Sequence, residues 1–192
     1  MKVLIACEFS GVVRDAFLKL GHDAMSCDLL PTDVPGPHYQ GDVRDVLDYP
    51  FDLAIFHPPC THLAVSGARH FARKVASGEQ QAALDFVRML LNADIPRICL
   101  ENPVSIISTK IRKPDQIVQP WMFGHETTKT TCLWLKNLPL LQPTEIVGKG
   151  EHKIYKWKSY PMWHETTRSG HIRSITFAGL AKAMAAQWGM IA

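Results

Sequence analysis

Three short runs, "KVLIAC" from Lys2, "FDLAIF" from Phe51 and "RICLE" from Arg97, constrain this chain more than any other feature. Each has a nearly continuous apolar centre, without the alternation of a strand that keeps one face in water. Such strands are covered on both faces, which is the pattern of a parallel sheet. Helical periodicity separates them. Val12, Val13, Ala16, Phe17 and Leu20 share one helical face that closes at Gly21, and Glu79 to Asn92 repeats Ala83, Leu84, Val87, Leu90 and Leu91 on an inner side. "HDAMSCD" reads as a second strand ending at Asp28, and residues 29–41, with three prolines and two glycines, read as a loop. Asn102-Pro103 stops the strand that begins at Arg97. The expected fold is therefore α/β, a mostly parallel sheet with helices on both faces.

In such sheets ligands bind beyond the carboxyl ends of the strands. The residues placed there are Glu8 to Gly11, Asp28, Asp42, His57 to His62, and Glu101-Asn102. The reactive side chains of the first half thus gather on one edge. The second half is less regular. "TTCLWL" is strand-like and "LPLLQPTE" is loop. Residues 153–163 interleave Lys153, Lys156 and Lys158 with Tyr155, Trp157, Tyr160 and Trp163, a pattern of either base stacking or a solvated rim over core aromatics. Phe177, Leu180, Ala181, Met184 and Trp188 form a final helical stripe, with Thr176 in position to cap it.

At 192 residues the chain is expected to form a single domain over 1–192. A hydrophobic content of 46% with 20% charged residues is that of an ordinary globular protein, and a net charge of +3 permits an anionic ligand without marking a nucleic-acid coat. No apolar stretch approaches the roughly 20 residues of a membrane span, so no membrane partner is expected. The cysteines are Cys7, Cys27, Cys60, Cys99 and Cys132, five in all with no CxxC pair. That argues against a disulfide framework and a zinc ribbon, and for a reducing, cytoplasmic setting. His57, Cys60 and His62 lack a fourth ligand for zinc, and no metal is expected.

Four of the five cysteines sit in or beside apolar runs, as small buried side chains do. Cys60 differs. In "FHPPCTH" it follows the strand, on a turn stiffened by two prolines. A thiol there is a candidate nucleophile, and Glu101 at the next strand end is a candidate acid.

Four segments, in order, carry a resemblance to the DNA cytosine-5 methyltransferases. "CEFSGVVRDAFLKLGHDAMSCD" resembles the family's opening turn, helix and acidic strand end; "GDVRDV" resembles its "GDI" segment. "HPPCTHLAVSGARH" is similar to its Pro-Cys loop, with Pro59-Cys60, Gly67 and Arg69 in step, and "ENP" resembles its "ENV". The resemblance implies a Rossmann-like class I methyltransferase fold and S-adenosyl-L-methionine as cofactor. It places Phe9, Ser10 and Gly11 in the cofactor site, Asp28 on the ribose hydroxyls and Asp42 on the adenine amine. It makes Cys60 the nucleophile that adds to cytosine C6, and Glu101 the acid that holds N3 and the exocyclic amine. Pro59, Ser66, Arg69, Asn102 and Lys129 would face the substrate, the loop after Cys60 closing over it.

The chain departs from that pattern in three places. Val13 and Arg14 stand where the family has glycines, which bears on how the cofactor's methionine end is held. Lys129 in "TTKTTCLWL" is the nearest match to a basic segment beyond the "ENV". Residues 137–173 are a reduced segment where the family inserts a target recognition domain. So short a segment is expected to suit a free deoxycytidine nucleotide, most simply dCMP, or else DNA with little sequence preference. Two other readings stay open. An exocyclic-amine methyltransferase would share the two prolines of "HPPC", though not the acidic or amide residue before them or the aromatic after them. A non-catalytic binder of nucleic acid or protein on the same fold would fit the altered glycine turn.

Overall fold

Val3, Leu4, Ile5 and Ala6 are all fully buried, so the first strand has no wet face. A computed structural model describes residues 1–149 and 174–191. Its strands are β1 (Lys2–Ala6), β2 (Asp23–Asp28), β3 (His38–Gln40), β4 (Leu53–Phe56), β5 (Arg97–Pro103), β6 (Gln116–Val118) and β7 (Thr131–Lys136). Its helices are α1 (Val12–Leu18), α2 (Phe71–Ala76), α3 (Glu79–Leu91), α4 (Ile107–Lys110) and α5 (Ala178–Trp188), with a 3-10 turn at Val65–His70 before α2. Among the described residues the strands form one seven-stranded sheet in the order β3-β2-β1-β4-β5-β7-β6. β1 to β5 pair in parallel, and β7 runs antiparallel to both its neighbours.

The period-two alternation of strand side chains divides the core. Leu4, Ala54, Phe56, Ile98, Leu100 and Trp134 meet Leu84, Val87 and Leu90 of α3 on one face. Val3, Ile5, Leu53, Ile55, Cys99 and Leu133 meet Val13 and Phe17 of α1 and Leu180, Met184 and Trp188 of α5 on the other. Each fully buried Leu, Ile or Phe contributes about 1.5–3 kcal/mol. The strand order reverses between β1 and β4: the chain proceeds outward through β2 and β3, then returns to build β4 and β5 on the opposite side. Such a switch point opens a crevice at the strand ends.

Several expectations need correction. β5 does not stop at Asn102-Pro103; it runs through both, because β7 pairs Asn102 with Cys132 and Pro103 with Thr131. A proline that lacks a donor is tolerated at the last rung of a ladder. Residues 29–41 are not all loop, since Ser26, Cys27 and Asp28 pair with His38, Tyr39 and Gln40 to add β3 at the sheet edge. Leu20 leaves the buried face and is 54% exposed, because α1 ends at Leu18 and Gly21 turns the chain at φ 83°. Thr176 does not cap the last helix. Phe177 holds the cap position, and the Gly179 N–H donates instead to His125 Nε2 at 2.9 Å. The lysine and aromatic stretch at 153–163 and most of 137–173 lie outside the described residues.

Candidate active site

The turn after β1 contains two left-handed residues, Cys7 at φ 58° and Gly11 at φ 75°. Gly11 is required twice over: its φ disfavours a side chain, and a Cβ there would lie 2.5 Å from Val34 Cγ2. Arg14, which takes a glycine's place in the resemblance, is fully buried. Its guanidinium pairs with Asp15 at 2.8 Å and donates to Ser26 Oγ, Thr32 Oγ1 and the Val34 and Pro35 carbonyls at 3.2–3.3 Å. Gly36 makes room for it, since a Cβ would stand 2.5 Å from the guanidinium carbon. The arginine is thus a strut under the loop between β2 and β3.

A cleft of about 520 Å³ opens at the ends of β1 and β2 and reaches the start of α3. Asp28 and Asp42 line it beside Leu29, Val43, Arg44 and Phe86, and Pro59 and His62 bring the loop after β4 to its wall. Arg44 is ion-paired to Asp42 at 2.7 Å and lies 5.3 Å over the Phe86 ring. Phe9, Ser10 and Gly11 are buried within the turn and do not line this cleft. Ser10 donates its hydroxyl to Glu8 Oε1.

The loop carrying Cys60 is held at successive carbonyls. Asn102 Nδ2 donates to the Pro58 carbonyl at 2.9 Å, and the Leu63 and Ala64 N–H groups donate to that of Cys60 at 3.0 and 2.9 Å. Lys74 Nζ donates to the Thr61 carbonyl, Gln80 Nε2 to that of His62 at 3.3 Å, and the Ile106 N–H to that of Leu63 at 3.0 Å. Lys74 and Gln80 are buried on α2 and α3, and their sequence context, a polar segment beside a helix start, gave no sign of this use. Cys60 itself is half-buried, while Ser66 and Arg69 lie exposed on the 3-10 turn.

His57 follows the last residue of β4 and Glu101 lies within the neighbouring parallel β5, each one residue beyond the Phe56–Leu100 register pair. His57 Nδ1 and Glu101 Oε2 are 3.1 Å apart. Burial pushes the Glu101 carboxyl up; the hydrogen bond and charge of His57 and the charge of Lys129 outweigh that and hold it below its ordinary value. Lys129 Nζ also lies 5.6 Å from the Phe177 ring, which brings α5 to this edge.

The thiols separate. Burial, then the charges of Asp28, Cys27 and Asp42, push Cys7 up to about 12, and burial with Asp28, Asp42 and Asp45 does the same for Cys27. Burial raises Cys99 and Cys132, with the Glu101 charge adding to both. These four are held as thiols. Among the described residues no group of three His, Cys, Asp or Glu could hold a metal, and no helix is long and apolar enough to cross a membrane.

A mostly parallel sheet whose order reverses between β1 and β4, with an antiparallel β7 between β5 and the edge strand β6 and acidic residues at the ends of β2 and β3, fits an α/β, Rossmann-like methyltransferase fold. Among solved structures the chain is similar to an E. coli protein described as a "putative DNA modification methyltransferase encoded within prophage Cp". The identity is 17% and the TM-score 0.50, over 77% of this chain and 52% of that one, so this chain spans about half the neighbour's length. The likeness is one of fold. No family model matches the sequence, and no curated protein matches it.

Proposed function

We propose that the chain is an S-adenosyl-L-methionine-dependent cytosine C5 methyltransferase with Cys60 as nucleophile. The observation that carries the reading is the loop after β4, which carries Cys60, meets Glu101 of β5 through His57, is held by Asn102 at Pro58, and reaches the wall of a cleft with two carboxylates through Pro59 and His62.

The cleft suits the cofactor's nucleoside. Asp28 and Asp42 are acceptors matched to ribose hydroxyls and an adenine amine, and Leu29, Val43 and Phe86 give apolar walls to a flat base. Phe9, Ser10 and Gly11 support the methionine end through the turn that they build. When bound, the cofactor supplies an electron-poor methyl group on a sulfonium sulfur.

The Cys60 thiolate would form an S–C6 bond and push the C5–C6 electron pair towards C5 and the ring, N3 taking a proton from solvent, while the Glu101 carboxylate holds the base by accepting from the exocyclic amine and from that N3–H. C5 takes the methyl group. The C5 proton would be lost to water, the S–C6 bond would break to return the Cys60 thiolate, and N3 would give its proton back to solvent, leaving the Glu101 carboxylate as it began. Pro59 and Asn102 set the backbone from which the sulfur approaches. Lys129 lowers the cost of the negative charge on Glu101.

The acceptor is a free deoxycytidine nucleotide such as dCMP, with Arg69 and Lys129 facing its phosphate, because only residues 137–173 separate β7 from the last helical region. One observation favours DNA instead. Ser66, Arg69 and Arg73 are exposed on the turn and helix that follow the Cys60 loop, placed as backbone contacts would be.

Labelled methyl transfer to dCMP, dCTP, single-stranded and double-stranded DNA, side by side, tests both acceptors. A 5-fluorocytosine version of the best acceptor is expected to trap a covalent adduct at Cys60. C60S is expected to lose the adduct and at least about 10³-fold in rate. Methylation that survives C60S would move the reading to exocyclic-amine transfer, and a chain that binds no cofactor by calorimetry would be a non-catalytic one.

A further inference from the structure

We propose that His57 is a positioning residue for Glu101, fixing its carboxyl so that one oxygen is presented to the base and the charge left on it is stabilised. This rests on the cytosine reading above and concerns a residue to which that reading gives no role.

The backbone of His57 is set by the sheet. Its N–H donates to the Ala6 carbonyl at 2.9 Å, extending the β4–β1 pairing by one rung, and Pro58 follows. The β4–β5 register then brings residues 57 and 101 side by side. The side chains are 8% and 16% exposed, so their 3.1 Å contact lies where water competes little. An ionised carboxylate only accepts, so Nδ1 carries the hydrogen; it does so in the matching neutral tautomer and in the charged ring alike. Nε2 is buried and has no partner among the described residues. A buried histidine that serves packing alone normally satisfies both nitrogens. Among the described residues the ring's hydrogen bond is the one to Glu101.

The last torsion of a glutamate is soft and broad. One hydrogen bond to Oε2 fixes the carboxyl plane and leaves Oε1 for the substrate. The charge on the carboxylate is met by the Nδ1–H already aimed at Oε2, so Oε1 stays free to accept from the cytosine N3–H and exocyclic amine through the addition and the elimination. His57 gains and loses nothing over the cycle.

The test uses the full chain with H57L and H57N, read by single-turnover methyl transfer, 5-fluorocytosine trapping, cofactor affinity by calorimetry and a ¹³C NMR titration of the Glu101 carboxyl. Asparagine places an amide N–H near the position of Nδ1. H57L is expected to lose about 10- to 100-fold in transfer rate with cofactor affinity unchanged, and its Glu101 carboxyl to titrate higher than in the wild type. H57N is expected to recover most of the rate and the low titration. Two results overturn the assignment of His57 alone. One is a wild-type adduct indifferent to both variants. The other is a loss in H57L that follows unfolding and cofactor affinity and that H57N does not rescue. A wild type that forms no adduct with any cytosine acceptor removes the cytosine reading, and the assignment falls with it.

Discussion

Asn102 donates its side-chain amide to the Pro58 carbonyl at 2.9 Å, tying β5 to the loop that carries Cys60. Asn102 is 1% exposed, so the bond cannot be replaced by solvent without rearrangement. N102A strands a buried carbonyl and is expected to cost about 1–3 kcal/mol in urea unfolding. Under the cytosine reading it also loosens the approach of the sulfur. The rate of methyl transfer should fall by about tenfold or more while cofactor affinity, measured by calorimetry, stays put.

Arg14 gives a prediction about stability. R14M removes five contacts and leaves two hydroxyls and two carbonyls facing an apolar side chain. It is expected to destabilise the fold by about 3 kcal/mol. R14K should recover only part of this, because an ammonium lacks the planar fork that reaches all five groups. Urea midpoints at an unchanged slope would check both variants.

Glu101 makes stability depend on pH in a definite sense. Its folded-state carboxyl titrates below the ordinary 4.5. A group depressed by folding contributes stability that is fully present above its unfolded value and lost as pH falls through the folded one. The stability of the wild type relative to E101Q should therefore be constant at neutral pH and shrink below about pH 4.5. Paired thermal melts across that window measure it, and an unchanged difference at acid pH would contradict the His57–Glu101 and Lys129 account.

The cleft carboxylates separate binding from chemistry. D28N and D42N are expected to weaken cofactor binding by about 10-fold each, or about 1.4 kcal/mol, through the loss of charged acceptors. Their melting temperatures in the absence of cofactor should fall slightly for Asp28, whose carboxylate accepts from the Leu30 N–H at 2.9 Å. They should fall a little further for Asp42, which adds the Arg44 ion pair at 2.7 Å to an acceptance from the Arg44 N–H at 2.9 Å. Calorimetry and melts on the same samples resolve the two effects.

Much of the frame was legible because each element announces itself locally. β1, β2, β4 and β7 match apolar runs in the sequence, and α1, α3 and α5 match their stripes. β3, β6 and α4 escaped because three- or four-residue elements carry too little periodicity to read. The extension of β5 through Pro103 depended on a partner strand some thirty residues later. The cap of α5 came from His125, far outside any capping pattern. At the site, Cys60 in the loop after β4 and Asp28 at the end of β2 could be read from the runs that precede them, whereas Glu101 lies within β5, two residues before its end, and Asp42 follows a β3 that gave no local signal.

What the sequence determined by itself was which residues end up at the carboxyl edge of the sheet, because hydrophobic runs and their breaks are local and set by burial. The tertiary structure decided how those residues act on one another. Lys74, Gln80 and Asn102 clamp the Cys60 loop, Arg14 braces the loop between β2 and β3, and His57 meets Glu101. Those contacts join groups far apart in the chain, and a hydrogen bond is directional and short, so only the register of neighbouring strands and the packing of α2 and α3 could bring the partners within reach.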